Sequence, residues 1–364
     1  MRRRAHRAGR LVTMTHTLPG PRTRSAPARL PGDLTARILR AVAILACLPY
    51  IGLKAAWMTG SHLGIPEGSE LRDPGRQTLM VVVNGLSVLM DGAVVVLALL
   101  LTRPWGLRAP AWLTALPAWV ACGLLAPIMA GFPAQLAARA LGFGGDGTGD
   151  PGQSSGAGGT FLAEWVFGMV YGGFIVQGLA LGGLFVLYAR RRWGHLWRGR
   201  IADLPVRAPD RALRRPAAVV IALLTAVPAA VHLLWATGSA TGLNRYRAQN
   251  RTSDFAVLEG VYMLFAVVTA VGVLMIAFRA GRPLRLALPL GLAWVGSAAL
   301  ACWGGWLLLA GLTAGNAAKE PTALMNLTYA VQMTVGLLVL AAGGRFLRER
   351  GSAGAGRAAE RRAP

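Results

Sequence analysis

Eight stretches of this chain are apolar for long enough to cross a lipid bilayer, and no other feature of the sequence constrains the fold as strongly. A spanning helix needs about 20 predominantly apolar residues. Segments 38–59, 78–102, 111–131, 161–188, 216–237, 255–278, 286–312 and 322–342 each supply them. The third is crowded by Pro110, Pro117, Pro127 and Pro133, which membrane helices tolerate better than soluble ones. Backbone polar groups in hydrocarbon must be satisfied within the segment, so the predicted fold is all-α, a polytopic membrane protein of eight transmembrane helices. Only 15% of residues are charged and the mean hydropathy is +0.48, against roughly 25% charged in a soluble domain.

The basic residues orient this array. The tail to Arg40, the 102–110 turn, the 189–215 loop, the 279–285 turn and the C-terminal tail hold 30 of the 38 lysines and arginines, and the four alternate loops hold 7. Lys54 falls inside a helix. This is the positive-inside pattern, which predicts both termini in the cytoplasm and a multi-pass protein of the plasma membrane. It also accounts for a net charge of +23 without nucleic acid, whose binding would call for interleaved aromatics or a recognisable module. The implied partner is the bilayer, with anionic lipid headgroups at Arg190, Arg191, Arg192, Arg214 and Arg215. Lysine is nearly absent beside arginine, a bias of high-GC, actinobacterial-type coding. The expected organisation is a basic disordered tail over 1–37, a four-helix unit over 38–188, a basic linker over 189–215, a second four-helix unit over 216–345 and a disordered tail over 346–364. The glycine-rich 143–160 stretch reads as a flexible external loop. Met14 is a possible alternative start, and the N-terminus lacks the apolar core of a cleaved signal.

The two units look like copies. Residues 54–64 read K-A-A-W-M-T-G-S-H-L-G and residues 232–242 read H-L-L-W-A-T-G-S-A-T-G. They match at Trp57/Trp235, Thr59/Thr237, Gly60/Gly238, Ser61/Ser239 and Gly64/Gly242. Each copy ends the first helix of its unit. Asn84-Gly85 then answers Glu259-Gly260, Arg103-Pro104 answers Arg282-Pro283, and Val176-Gln177 answers Val331-Gln332. Four helices return the chain to its starting side, so the expected repeats are parallel, related by an axis along the membrane normal.

The second copy carries His232, Trp235, Ala236 and Gly238 in an H-x-x-W-A-x-G arrangement at the end of its first helix. In this it resembles a family of small four-helix actinobacterial membrane proteins of unknown function. The first copy departs, with Lys54 in place of the histidine. The resemblance implies a fold and no activity.

Ionisable groups inside a bilayer are costly and mark functional positions. Lys54, Asn84, His232 and Glu259 lie at one depth, roughly 8–9 Å below the helix ends at about 1.5 Å per residue. Lys54 pairs with His232 and Asn84 with Glu259 in the repeat. If the units meet there, Lys54 and Glu259 neutralise each other across the interface. The alternative is that Lys54 snorkels outward while His232 and Glu259 pair for packing. Deeper lie Asp91, Gln177 and Gln332; the glutamines read as interhelical glue, and Asp91 as either a functional or a structural acid. Trp57 and Trp235 fall at membrane-interface depth and read as belt anchors, with ligand stacking the alternative. Gly168, Gly172, Gly178 and Gly182 predict a central fourth helix.

Other chemistries are disfavoured. Gly152-Gln153-Ser154-Ser155-Gly156 fits a nucleophile elbow but lacks strand–turn–helix context. There is no H-E-x-x-H or P-loop, and His232 is the one histidine inside a span, too few for a two-histidine haem. Cys47, Cys122 and Cys302 lie in apolar segments and suit packing more than disulfides or zinc. No metal or cofactor is expected. Three function classes stay open: a small-solute or ion transporter with its site between the units, a non-catalytic membrane component with a protein partner, and a lipid-modifying enzyme using His232 and Glu259 as an acid–base pair.

Overall fold

The computed structural model describes residues 32–67, 69–73, 75, 77–143, 162–204, 211–312 and 317–360. Among them are nine α-helices and no strand. The helices are α1 (Gly32–Met58), α2 (Gln77–Thr102), α3 (Ala111–Ala140), α4 (Glu164–Trp197), α5 (Arg211–Ala236), the short α6 (Arg245–Gln249), α7 (Ser253–Phe278), α8 (Ala287–Gly311) and α9 (Ala323–Glu360). All but α6 are long and apolar enough to cross a membrane, eight in total among the described residues. Their outward faces expose Leu45, Leu89, Leu179, Leu223 and Leu338, large side chains that water would penalise and lipid tails accept. The chain is an integral, multi-pass membrane protein.

α3 runs unbroken through Pro117, Pro127 and Pro133 to Ala140, longer than the 111–131 expected. α4 extends to Trp197, into the stretch expected as linker, and α9 continues to Glu360, across the tail expected to be disordered. Contacts at the far ends explain the last extension: Arg350 Nε donates to Leu196 O at 2.6 Å, and Glu349 pairs with Arg214. The glycine-rich 143–160 loop and the serine motif within it lie outside the described residues, save Phe143, as does the tail to residue 31.

Within the first four long helices, α1 packs on α2 and α4, and α3 on α2 and α4. Within the last four, α5 packs on α7 and α9, and α8 on α7 and α9. The two sets meet through α3, which lies along α8 and α7. The meeting surface is apolar and tight. A Cβ at Gly123 would overlap the backbone of Ala298, and Ala126 and Ala130 pack on Val261, Phe265 and Ala299. It is clamped at one end by the Arg139–Asp254 ion pair and by Gln135 Nε2 donating to Asp254 O at 3.1 Å.

The central helix is α8, not α4. Helices in lipid gain little from the hydrophobic effect and associate by close backbone approach at small residues. A Cβ at Gly304 would sit 2.6 Å from Tyr329 O of α9, and one at Gly272 of α7 2.7 Å from Pro289 O of α8. Gly296 and Gly336 seat equally tightly. On α4, by contrast, Gly168, Gly172 and Gly182 face open space, and Gly178 meets only the Met129 and Leu125 side chains of α3. Four-residue spacing of glycines makes a packing face only where another helix lies against it.

Candidate functional site

Each set of helices ends its first member in the same turn. Gly60 and Gly238 have φ of +90° and +97°, and Gly64 and Gly242 +70° and +73°, left-handed values that glycine adopts without Cβ strain. Ser61 N donates to Ala56 O and Ser239 N to Leu234 O, both at 2.9 Å. The Ser61 and Ser239 hydroxyls accept from Leu63 N and Thr241 N. Thr59 and Thr237 bond back to carbonyls one turn earlier. A Cβ at Gly64 would overlap Val166 at the start of α4, and one at Gly242 would overlap Leu324 at the start of α9. We call the end of the molecule holding these turns the turn face, and the opposite end the arginine-rich face.

The turns explain the two tryptophans, which are not belt anchors. Trp57 is 4% exposed and Trp235 1%. Their indole N–H groups donate inward to Leu63 O at 2.8 Å and Thr241 O at 2.9 Å. Depth along the chain suggested an interfacial role, but the glycine-driven reversal folds the next segment back over each ring.

Beneath the second turn lies a buried hydrogen-bonded chain. His232 on α5 and Glu259 on α7 are 1% and 2% exposed. His232 Nδ1 contacts Glu259 Oε2, and its Nε2 lies 2.6 Å from Gln332 Nε2 on α9. Trp235 and Tyr262 rings pack edge-on and tilted against the imidazole at 5.4 and 5.3 Å. Tyr329 sits alongside, its hydroxyl accepting from Arg247 Nη1 at 3.3 Å. Arg247 belongs to α6, which Asn244 caps at its N-terminus while also bonding Lys319 O of the α8–α9 loop at 2.9 Å. Tyr262, Tyr329 and Arg247 escape the sequence reading because nothing but the fold brings their helices to His232.

Two hydrogen-bonding arrangements of this chain are open. When Gln332 Nε2 donates to His232 Nε2, the imidazole is neutral and its Nδ1–H donates to the Glu259 carboxylate. In that arrangement Gln332 Oε1 is buried without a partner. Rotation of the amide presents Oε1 instead, which accepts from an imidazolium Nε2–H and leaves the amide N–H groups in the buried position now held by Oε1. Glutamine here suits both protonation states.

The first set is built differently. Lys54 Nζ lies over the Tyr50 and Trp57 rings at 4.9 and 4.8 Å. Asn84 is buried, with Met80 Sδ at 4.0 Å as its nearest partner. Deeper, Gln177 Nε2 donates to Asp91 Oδ1 and contacts Cys47 Sγ, both at 3.2 Å. The expected Lys54–Glu259 neutralisation across the interface does not occur: Glu259 is engaged by His232 and Lys54 by aromatic faces. Tyr171 of α4 stacks on Phe132 of α3 and on Phe167. Nor are the glutamines equivalent. The contacts of Gly64 with Val166 and of Gly242 with Leu324 align Tyr171 with Tyr329, leaving Gln177 about one turn deeper than Gln332.

Cys47, Cys122 and Cys302 are free thiols. Two surface grooves are apolar or peripheral. One, of about 400 Å³, is lined by Leu264, Phe265, Val268 and Leu292 between α7 and α8. Another, of about 410 Å³, lies by Phe132, Glu164 and Trp165 at the turn face. Comparison of the chain with known protein families, with curated proteins and with solved structures returns no match.

Proposed function

We propose that the protein is an ion permease of the small-solute and ion transport class, that the ion is a proton, and that Glu259, His232 and Gln332 bind it. The single observation that carries this reading is the sealed histidine–glutamate pair joined to an amide able to serve either protonation state. Burying ionisable groups in a membrane bundle is costly, and a purely structural contact at this position is available to apolar side chains at lower cost. The tight apolar seam along α3 argues against a wide solute pathway between the two sets of helices, so the site lies within a set and not between them.

The chain is on this reading a duplicated four-helix bundle with parallel repeats. Support comes from the two turns, alike in every backbone hydrogen bond named above, and from the matching neighbour relations of the two helix sets. The arginine-rich face lies in the cytoplasm with both termini, and the turn face outside a plasma membrane; the 30-to-7 division of basic residues supports this. Anionic headgroups then meet the exposed Arg190 and Arg191. The H-x-x-W-A-x-G resemblance to small actinobacterial membrane proteins fits a single-bundle ancestor.

A second reading, a non-transporting membrane component, is favoured by the same seam, because interdigitated glycines and alanines leave the core dry. The lipid-modifying alternative lacks support: His232 and Glu259 are in contact, but the apolar groove on α7 and α8 lies towards the arginine-rich face. The deciding experiment reconstitutes purified protein in liposomes loaded with a pH-sensitive dye and imposes a pH gradient. Proton flux above protein-free liposomes, reduced at least about tenfold in Glu259→Gln as expected for loss of a proton carrier, is the expected result. Absence of flux, or an unaffected variant, removes the permease reading and leaves the structural component.

A further inference from the structure

The first set of helices holds a carboxyl group that the histidine–glutamate chain does not use. Asp91, in the middle of α2, is 5% exposed. Gln177 Nε2 satisfies its Oδ1, but Oδ2 is buried without a hydrogen-bond partner. Among the groups facing it, α1 brings Cys47 and Tyr50 and, nearer the turn face, Lys54, while α4 brings the uncharged Gln177 and, further off, Tyr171. The one charged side chain of α3, Arg139, is at the helix end and engaged with Asp254. On α2 itself Ser87 lies one turn towards the turn face, within hydrogen-bond reach of Tyr50, and Asn84 two turns away.

An ionised carboxylate so placed is destabilised by several kcal/mol unless a counter-charge meets it. A hard metal cation takes about six oxygen ligands, and the neighbours here are an amide N–H and a thiol. A proton on Oδ2 meets the need with no further ligand. Lys54 is the other cation within reach. Its ammonium rests on two aromatic faces, interacts electrostatically with Asp91, and sits on a stem that leans back along α1 to Tyr50, one turn earlier.

We propose that Asp91 is a proton-binding site of the first helix set and that the Lys54 ammonium replaces the proton when it leaves. The Oδ2–H bond breaks, the proton passes to water, the electron pair stays on the carboxylate, and Lys54 leaves its aromatic seat to pair with it. The charge of the pocket falls by one and no other reactant is consumed. This site stands on its own geometry and does not depend on the role given to His232 and Glu259.

Infrared difference spectroscopy on the full chain in lipid nanodiscs, titrated between about pH 5 and pH 9 to span the carboxyl and imidazole range and beyond, reads the protonated-carboxyl band directly. A band at neutral pH is expected that Asp91→Asn abolishes and Glu259→Gln leaves in place. In Lys54→Met the band should persist to higher pH than in the unaltered protein, because no cation remains to stabilise the ionised form. A band insensitive to Asp91→Asn, or a Lys54→Met titration superimposed on that of the unaltered protein, overturns the proposal. If Asp91→Asn does not fold, the Lys54→Met comparison decides alone. Liposomes without proton flux but with an Asp91 band that titrates as described would refute the permease reading and leave this site standing.

Discussion

The two turns allow a graded test of how backbone strain and steric overlap combine. At Gly60 and Gly238 the backbone is left-handed, yet a Cβ would meet nothing within 4 Å. Alanine there should cost the conformational penalty alone, about 1–2 kcal/mol. At Gly64 and Gly242 the backbone is also left-handed, and the added methyl overlaps Val166 or Leu324. Overpacking adds about 1–3 kcal/mol, so Gly64→Ala and Gly242→Ala should lose roughly 2–5 kcal/mol in all. Val166 is fully buried and stiff about χ1, and at Gly242 the Cβ and Cγ of Leu324 crowd the site as well as its tip, so both variants should exceed their Gly60 and Gly238 counterparts. Reversible unfolding of the four variants in mixed detergent–lipid micelles measures the losses. Equal losses at all four positions would refute the steric half of the argument. An order found in one turn and absent from the other would refute the claim that the two are built alike.

Three further outcomes follow from the packing. Trp57→Phe and Trp235→Phe should each lose about 1–3 kcal/mol, because a carbonyl beneath the turn is left unsatisfied; an interfacial belt role would make both nearly neutral in the same unfolding assay. Gly304→Ala and Gly123→Ala should destabilise by about 1–3 kcal/mol through backbone overlap with the neighbouring helix, whereas Gly172→Ala and Gly182→Ala on α4 should be neutral or stabilising by up to about 1 kcal/mol. A double-mutant cycle on Arg139→Gln and Asp254→Asn should return a coupling near 1 kcal/mol or less that weakens with salt, since the arginine side chain is 30% exposed; a coupling indifferent to salt would contradict that view of the clamp.

All eight spans were legible because the bilayer imposes a length and a composition that no soluble element matches, and even the proline-laden α3 obeys them. The turn was legible as a repeated string, W-x-T-G-S, though not as a fold, because the inward direction of the indoles depends on glycine dihedrals. The buried chain was half legible. Position along a helix gives depth, which put His232 beside Glu259 and Lys54 at their level. It says nothing of the rotation of one helix about its neighbours, so the partner of each group was unreadable. That rotation is set by helices packing around α8, whose close contacts at Gly296 and Gly304 are spaced too widely to show as a pattern. Matching Gln177 to Gln332 by their flanking valines failed for a related reason: the start of α4 against Gly64 and of α9 against Gly242 fixes the register, and that lies upstream.

α9 is a single unbroken rod of 38 residues, about 57 Å long. Gln332 lies near one end of it, and Glu349 and Arg350, held by the ends of α5 and α4, lie about 25 Å away along the same axis. No break in the helix separates those contacts from the amide that touches His232. A molecule that displaced Glu349 from Arg214 would thus meet the same rigid element that carries Gln332, and not a separate one.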